Sequence, residues 1–264
     1  MNNILLRAGR LWCAGLVLFL LRLVQNLTGF DPETGLSLPS LPGAAAVACL
    51  ALLALWELAL ARKRDKTRAS FSRRFAPPQW EKPLLAAGSL LLVAGGLLMA
   101  AAGLGGSGGG EGVAAIAAGL TAVASGGCFL LLGRQMASGG EVTVGPLLPA
   151  MFFGVFLVLA VYLPAADDPV LERYWLPVLA AAMAAYAFSQ LAGFLRGESS
   201  PRGFTPVADL AVILCLAATA DGDAPRALLF GGCALVLTVF LLLQRERPEP
   251  APAPEKDPEA PAEA

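Results

Sequence analysis

Two carboxylates, Glu57 and Asp209, lie inside apolar stretches, where a charged side chain is costly and is a candidate for function. Glu57 precedes Arg62 by five residues and Asp209 follows Arg202 by seven. Both should therefore lie about 7–10 Å from the nearest membrane surface at 1.5 Å per helical residue. With Gln190 at similar depth, we expect an intramembrane polar pocket able to bind a proton or cation. Alternatively, each carboxylate reaches the surface or pairs with a nearby base and is structural.

Histidine is absent from the sequence. It is the commonest metal ligand and the usual general base near neutral pH. Its absence excludes Ser-His-Asp and Cys-His catalysis and histidine-ligated zinc. The glycine-rich segment 103–112 lacks the lysine of a phosphate-binding loop and does not follow a predicted strand. We expect no catalytic residue, no metal and no cofactor.

Eight apolar segments are long enough to span a bilayer, which takes about 20 helical residues. Backbone polar groups in lipid must be bonded internally, so each segment is expected to be a helix. The predicted fold is an all-α, polytopic transmembrane bundle over residues 1–244. Its spans are residues 5–27, 43–61, 83–104, 112–132, 145–164, 175–195, 204–220 and 227–244.

The orientation of the bundle follows from the lysines and arginines in the short loops, which favour the cytoplasmic side. With both termini inside, 16 of the 19 basic residues are cytoplasmic. Arg22, Arg173 and Arg226 remain outside. Nucleic acid is not an expected partner, because the net charge is −1.

Two of the predicted spans are weak. In the first, only residues 11–21 are free of charge, so Arg10 and Arg22 must snorkel to the two membrane surfaces. A cleaved signal peptide is the alternative, but the sequence that follows offers no small-residue cleavage motif. The seventh span is short, and seven crossings would result if it failed to cross.

Beyond the helices, two segments have a distinctive composition. The loop 62–82 is rich in basic residues and should contact anionic lipid, at about 1 kcal/mol per residue near the surface. The expected contacts are Arg62, Lys63, Arg64, Lys66, Arg68, Arg73 and Arg74. Residues 245–264 alternate proline, alanine and acidic residues, which predicts a disordered cytoplasmic tail.

Small residues crowd the third and fourth spans. Gly88 and Gly95 recur at seven residues, as do Gly96 and Gly103. Such spacing lets helix backbones approach closely in lipid. We interpret it as tight packing of this hairpin, with a homodimer face as the alternative.

The stretches 27–36, 168–171, 191–194 and 220–222 together resemble uncharacterised multi-pass membrane proteins of anaerobic Gram-positive bacteria. That group has no assigned activity to carry over. The resemblance implies a location in a bacterial plasma membrane.

Short loops and small-residue packing favour a non-enzymatic membrane component, either an accessory or regulatory subunit or a transporter-like protein. The alternative is a membrane-embedded enzyme acting on lipid. Such an enzyme would need paired carboxylates or a metal site on one face. The adjacent pair Asp167 and Asp168 is predicted to lie in an exterior turn instead.

The predicted topology can be tested by labelling single cysteines in a cysteine-free background. Cysteines replacing Leu36, Asp168 and Gly222 should react with an impermeant maleimide from outside, and one replacing Ser70 should not. External labelling at Ser70 would reverse the orientation, and protection at Gly222 would remove the seventh span.

Overall fold

The computed structural model describes residues 2–31, 38, 40–68, 70–105, 109–138, 147–167, 170, 173–221 and 223–245. Within these ranges the chain is helical and contains no β-strand, apart from one isolated bridge between Phe75 and Gln244. The predicted disordered tail lies outside the described residues, except for Arg245.

The described ranges form eight long helices and one short one. They are α1 (Asn2–Thr28), α2 (Leu41–Ala61), α3 (Phe71–Arg74), α4 (Lys82–Gly105), α5 (Gly110–Ser138), α6 (Leu148–Asp167), α7 (Trp175–Leu195), α8 (Pro201–Ala218) and α9 (Ala224–Leu243). A 3₁₀ turn, Thr219–Asp221, extends α8. Proline in the first turn favours the starts of α2, α8 and α9, because it has no amide hydrogen to leave unpaired.

Seven of these helices are long and apolar enough to cross a membrane. They include both segments that looked weak in sequence, as Leu6–Thr28 and Pro201–Asp221. The eighth long helix, α6, has a shorter apolar stretch, Leu148–Pro164. The sequence predicted an ordinary span there. These are the features of a multi-pass membrane protein.

Side-chain contacts sort the helix termini into two ends of the bundle. At the end we call the basic end, Arg7 near the start of α1 meets Arg64 after α2 and Asp209 near the start of α8. At the opposite, far end, Arg22 near the end of α1 meets Asp221 after α8. The chain thus runs in the same direction through α1 and α8.

The path of the middle helices follows from two further contacts. A cavity of about 200 Å³ brings Gly112, at the start of α5, together with Pro164 near the end of α6 and Arg226 near the start of α9. At the other end of α5, Gly133 lies against Leu85 near the start of α4. Since Arg22 reaches the backbone of Arg173, α7 begins at the far end. Consequently α5 begins at the far end beside Arg226 and ends beside the start of α4.

Glycines permit the closest helix approaches. A Cβ added at Gly96 would lie 2.6 Å from the carbonyl oxygen of Gly119, and one at Gly119 would lie 2.5 Å from the carbonyl oxygen of Gly96. Gly103 packs against α5 in the same way, whereas Gly88 and Gly95 face α9. The small residues of α4 are therefore used within the chain, on two different faces of one helix.

Large apolar side chains also cover the outside of the bundle. Leu52, Leu55 and Trp56 of α2 are more than half exposed, as are Leu90 and Leu97 of α4. Soluble monomers do not expose contiguous apolar surface on this scale. Hydrocarbon solvates such a surface, so the exposed faces of these helices fit contact with lipid.

The backbone contact between α4 and α5 predicts a position-specific glycine requirement. Gly119→Ala should lower the free energy of unfolding by about 1–3 kcal/mol, because the methyl group meets backbone rather than a movable side chain. Gly127→Ala on the same helix, where nothing lies within 4 Å of the added atom, is the matched control. Thermal unfolding of the purified protein in detergent measures both, and equal midpoints would contradict the packing.

Candidate functional site

Four charged side chains meet at the basic end, and we call them the basic-end cluster: Arg7, Glu57, Arg64 and Asp209. Arg64 donates from Nη2 to Glu57 Oε2 at 2.9 Å and to Asp209 Oδ2 at 3.1 Å. Arg7 donates to both carboxylate oxygens of Asp209, at 2.6 and 2.5 Å. One guanidinium thus joins two carboxylates that lie 152 positions apart in the sequence.

Separate elements position the four groups. Glu57 lies in the last turns of α2, and the chain then turns back, with the Arg64 amide donating to the carbonyl of Ala61. This turn points the Arg64 side chain back toward the helix it has just left. Asp209 comes from the early part of α8, which begins at Pro201, and Arg7 from the start of α1.

The charges in this cluster balance, with two guanidinium groups against two carboxylates. The side chain of Asp209 is completely buried and that of Glu57 is 9% exposed. A charge removed from water is tolerated when an opposite charge and hydrogen bonds replace the solvent. Arg64 lies between the two carboxylates and donates a hydrogen bond to each.

Gln190, the third member of the expected pocket, has a different partner. Its Oε1 accepts a hydrogen bond from the Ser199 hydroxyl at 3.3 Å, which ties the end of α7 to the loop before α8. No described hydrogen bond joins Gln190 to the basic-end cluster. Of the three residues expected to share a pocket, Glu57 and Asp209 are therefore joined through Arg64, and Gln190 is bonded elsewhere.

The basic loop is held down by Arg74, which is fully buried. Its guanidinium donates to Asp65 Oδ2 at 2.8 Å and to the carbonyls of Thr67 and Arg245 at 3.0 and 3.2 Å. The Arg74 carbonyl in turn accepts from the amide of Arg245. The hydrogen bond from Arg74, with further bonds from Thr67, holds the pKa of Asp65 well below its usual range.

These contacts correct the predicted lipid-binding set. Arg74 cannot contact lipid headgroups, because it is buried and bonded inside the protein. Arg64 is also turned inward, with its side chain 18% exposed. Arg62, Lys63, Lys66 and Arg68 remain exposed, and Arg73 is half-buried. Spacing alone did not reveal which arginines the chain uses internally.

A second charged site, at the far end, was not recognised from sequence. Arg22, 1% exposed, donates from Nε to Asp221 Oδ1 at 2.7 Å and from Nη1 to Gln25 at 3.1 Å. It also donates to the carbonyl of Arg173 at 2.5 Å. We call Arg22 and Asp221 the far-end pair. The expectation that Arg22 snorkels to the surface is wrong, because a carboxylate and two oxygens satisfy it inside the protein.

The sequence did hold a signal for the far-end pair. Arg22 ends one apolar stretch and Asp221 ends another, and the predicted topology places both at the exterior surface. Opposite charges at equal depth gain by pairing. What was missing was the knowledge that α1 and α8 are neighbours.

Among the described residues, no group of three or more histidine, cysteine, aspartate or glutamate side chains could hold a metal ion. No protein-family model, no curated protein and no solved structure matches this chain.

Because Arg64 is bonded to both carboxylates, we predict that removing one carboxylate compensates for the loss of Arg64. Arg64→Gln should destabilise the protein by about 3 kcal/mol, since it leaves two carboxylates facing each other in a buried site. Adding Glu57→Gln should recover much of that loss, because one of the two negative charges is removed.

The matched control is Arg62→Gln, which removes an exposed arginine two positions earlier. It should leave the unfolding midpoint of the purified protein within experimental error. Losses that simply add in the double variant would show that Arg64 does not hold the two carboxylates together.

Proposed function

We propose that this protein is a non-enzymatic, transporter-like component of a bacterial plasma membrane that crosses the membrane eight times with both termini in the cytoplasm. The observation that carries the proposal is the pairing of α1 with α8 by buried opposite charges at both ends of the bundle.

Eight crossings are supported by the path of the chain. Because α5 ends at the basic end and α7 begins at the far end, the segment between them must traverse the bundle. The helix α6 has 20 residues, about 30 Å at 1.5 Å per residue, which matches the hydrocarbon thickness of a bilayer. The concentration of lysine and arginine at the basic end supports its placement in the cytoplasm.

A transporter-like role is supported by the arrangement of the charges. A protein that moves a solute must close a path at each membrane surface in turn. Here α1 and α8 touch midway, where Gly15 lies against Leu216, and carry an ion pair at each end. An ion pair is a discrete contact that can break and re-form, so each pair is a candidate closure.

The enzyme alternative gains little from this geometry. Lipid hydrolysis or transfer requires a nucleophile or a free general base. Glu57 accepts a hydrogen bond from Arg64, and Asp209 accepts hydrogen bonds from Arg7. The buried carboxylates therefore favour a mechanical role over a catalytic one.

The closure hypothesis predicts that breaking the basic-end cluster opens this end of the protein. In a cysteine-free background, Ala211→Cys places a thiol at a fully buried position two residues beyond Asp209. Arg7→Gln should accelerate its reaction with an impermeant maleimide by about tenfold, the factor that 1.4 kcal/mol supplies. Inverted membrane vesicles present this end to the reagent.

Arg10→Gln, an exposed arginine on the same helix, is the control and should leave the rate unchanged. If Arg7→Gln and Arg64→Gln both leave Ala211→Cys as unreactive as before, the cluster is a static support and the closure hypothesis fails.

We also propose that the exposed part of the basic loop binds anionic lipid. Arg62, Lys63, Lys66 and Arg68 are exposed, and Trp80, 46% exposed, gives the loop an aromatic side chain suited to the membrane interface. Basic side chains near an anionic surface gain about 1 kcal/mol each.

Replacing Lys63, Lys66 and Arg68 by glutamine should therefore reduce the enrichment of phosphatidylglycerol around the reconstituted protein. Native mass spectrometry of co-purified lipid measures this, with Arg196→Gln as an exposed control outside the loop. Unchanged retention of phosphatidylglycerol by the triple variant would rule out an electrostatic lipid site here.

A further inference from the structure

The far end of the bundle holds a cavity of about 510 Å³ between α1, α7 and the start of α9. This volume lies within the range of small-molecule sites. Its wall combines apolar side chains, including Leu27, Phe30 and Pro177, with the charged side chains of Arg173, Asp221 and Arg226. Both signs of charge therefore border one apolar wall.

One of the two carboxylate oxygens of Asp221 has no hydrogen-bond donor. Its Oδ1 receives hydrogen bonds from Arg22 at 2.7 Å and from Asn26 at 3.1 Å. Its Oδ2 is buried and has no hydrogen-bond partner. A buried carboxylate oxygen left without a donor is costly, so a ligand that brings an N–H group would be favoured there.

Positive charge borders the same cavity. Arg173 is exposed and its guanidinium lies 5.1 Å from the centre of the Phe30 ring. Arg226 is paired with Asp223 at 3.1 Å, and a quarter of its side chain is exposed. Guanidinium groups recognise carboxylates and phosphates through paired N–H donors. The wall of the cavity therefore carries arginines that can bind an anionic group and an aspartate that can bind an ammonium group.

We propose that this cavity binds a small zwitterion, with a primary ammonium on Asp221 Oδ2 and an anionic group on Arg173 or Arg226. Its apolar part lies against Leu27, Phe30 and Pro177. The inference deepens the proposed function and rests on it for transport, because Asp221 also forms the far-end pair. Two sources share this chemistry: a free apolar amino acid and the headgroup of phosphatidylethanolamine.

The number of N–H donors on the ligand separates this proposal from simple charge attraction. A trimethylated ammonium keeps its positive charge but cannot donate a hydrogen bond. The purified full-length protein in nanodiscs of phosphatidylglycerol is titrated with leucine and with its trimethylated analogue. In parallel, its retention of phosphatidylethanolamine is compared with that of phosphatidylcholine.

The proposal expects at least about tenfold preference for the primary ammonium in one of the two arms. The arm that responds identifies the source as a solute or a lipid. Asp221→Asn should abolish that preference, and Arg173→Gln should weaken binding while leaving the far-end pair intact. Glu198→Gln, at an exposed ion pair in the loop before α8, is the control and should bind like the parent.

Absence of saturable binding in both arms, or equal binding of primary and trimethylated ammonium, would overturn the zwitterion site. Because Asp221→Asn also alters the partner of Arg22, the ligand comparison on the unmodified protein decides on its own. Binding with no closure at the basic end would leave the site standing and refute the transporter-like function. Support for closure from the labelling experiment, without saturable zwitterion binding, would refute the site and leave the transporter-like function standing.

Discussion

A charge that leaves water for a medium of low dielectric must find an opposite charge, or the structure that contains it will not form. This chain places three such charges where solvent is scarce: Arg22, Arg74 and Asp209 are each at most 1% exposed. Every one of them is bonded to a partner on another element. Much of the arrangement of the helices follows from those pairings.

These ion pairs matter because apolar burial contributes little to helix association inside a bilayer. Inside a bilayer, lipid and helix surfaces are equally apolar, so association depends on close packing and on polar contacts. Glycine and alanine supply the close packing between α4 and α5, where two backbones nearly touch. Along α1 and α8 the helices meet closely at Gly15, and the ion pairs specify which helices meet and in which direction.

Sequence reasoning located the helices well, because an apolar stretch of about 20 residues is a strong local signal. It also predicted the close packing of Gly96 and Gly103 within the hairpin, but not that Gly88 and Gly95 face α9. It picked out Glu57 and Asp209 as unusual. It could not assign their partners, since Arg7 lies 202 residues from Asp209 and nothing local links them. The same limitation applied to Arg22, whose proximity to a membrane surface suggested solvent rather than Asp221.

The basic loop shows the limit of a compositional argument. A run of lysine and arginine predicts a charged surface, yet Arg74 is inside the protein and Arg64 is turned inward. The phenylalanines interleaved with them supply the reason: Phe75 packs its ring against Phe194 at 5.2 Å and Phe240 at 5.9 Å. These ring contacts hold the loop against the bundle, and the neighbouring arginines are turned inward with the loop.

The central claim is that α1 and α8 lie side by side, because both ion pairs and the contact at Gly15 depend on it. Gly15 and Leu216 meet about midway between the two ion pairs, with an added Cβ at Gly15 only 2.9 Å from the Cβ of Leu216. Cysteines at these two positions, in an otherwise cysteine-free protein, should form an intramolecular disulfide on mild oxidation in native membranes, because a shift of less than about 1 Å brings the two Cβ atoms to the roughly 3.5–4.5 Å of a normal disulfide. Rapid cross-linking within one chain is the predicted result. Free thiols after oxidation, or disulfides only between copies, would contradict the account.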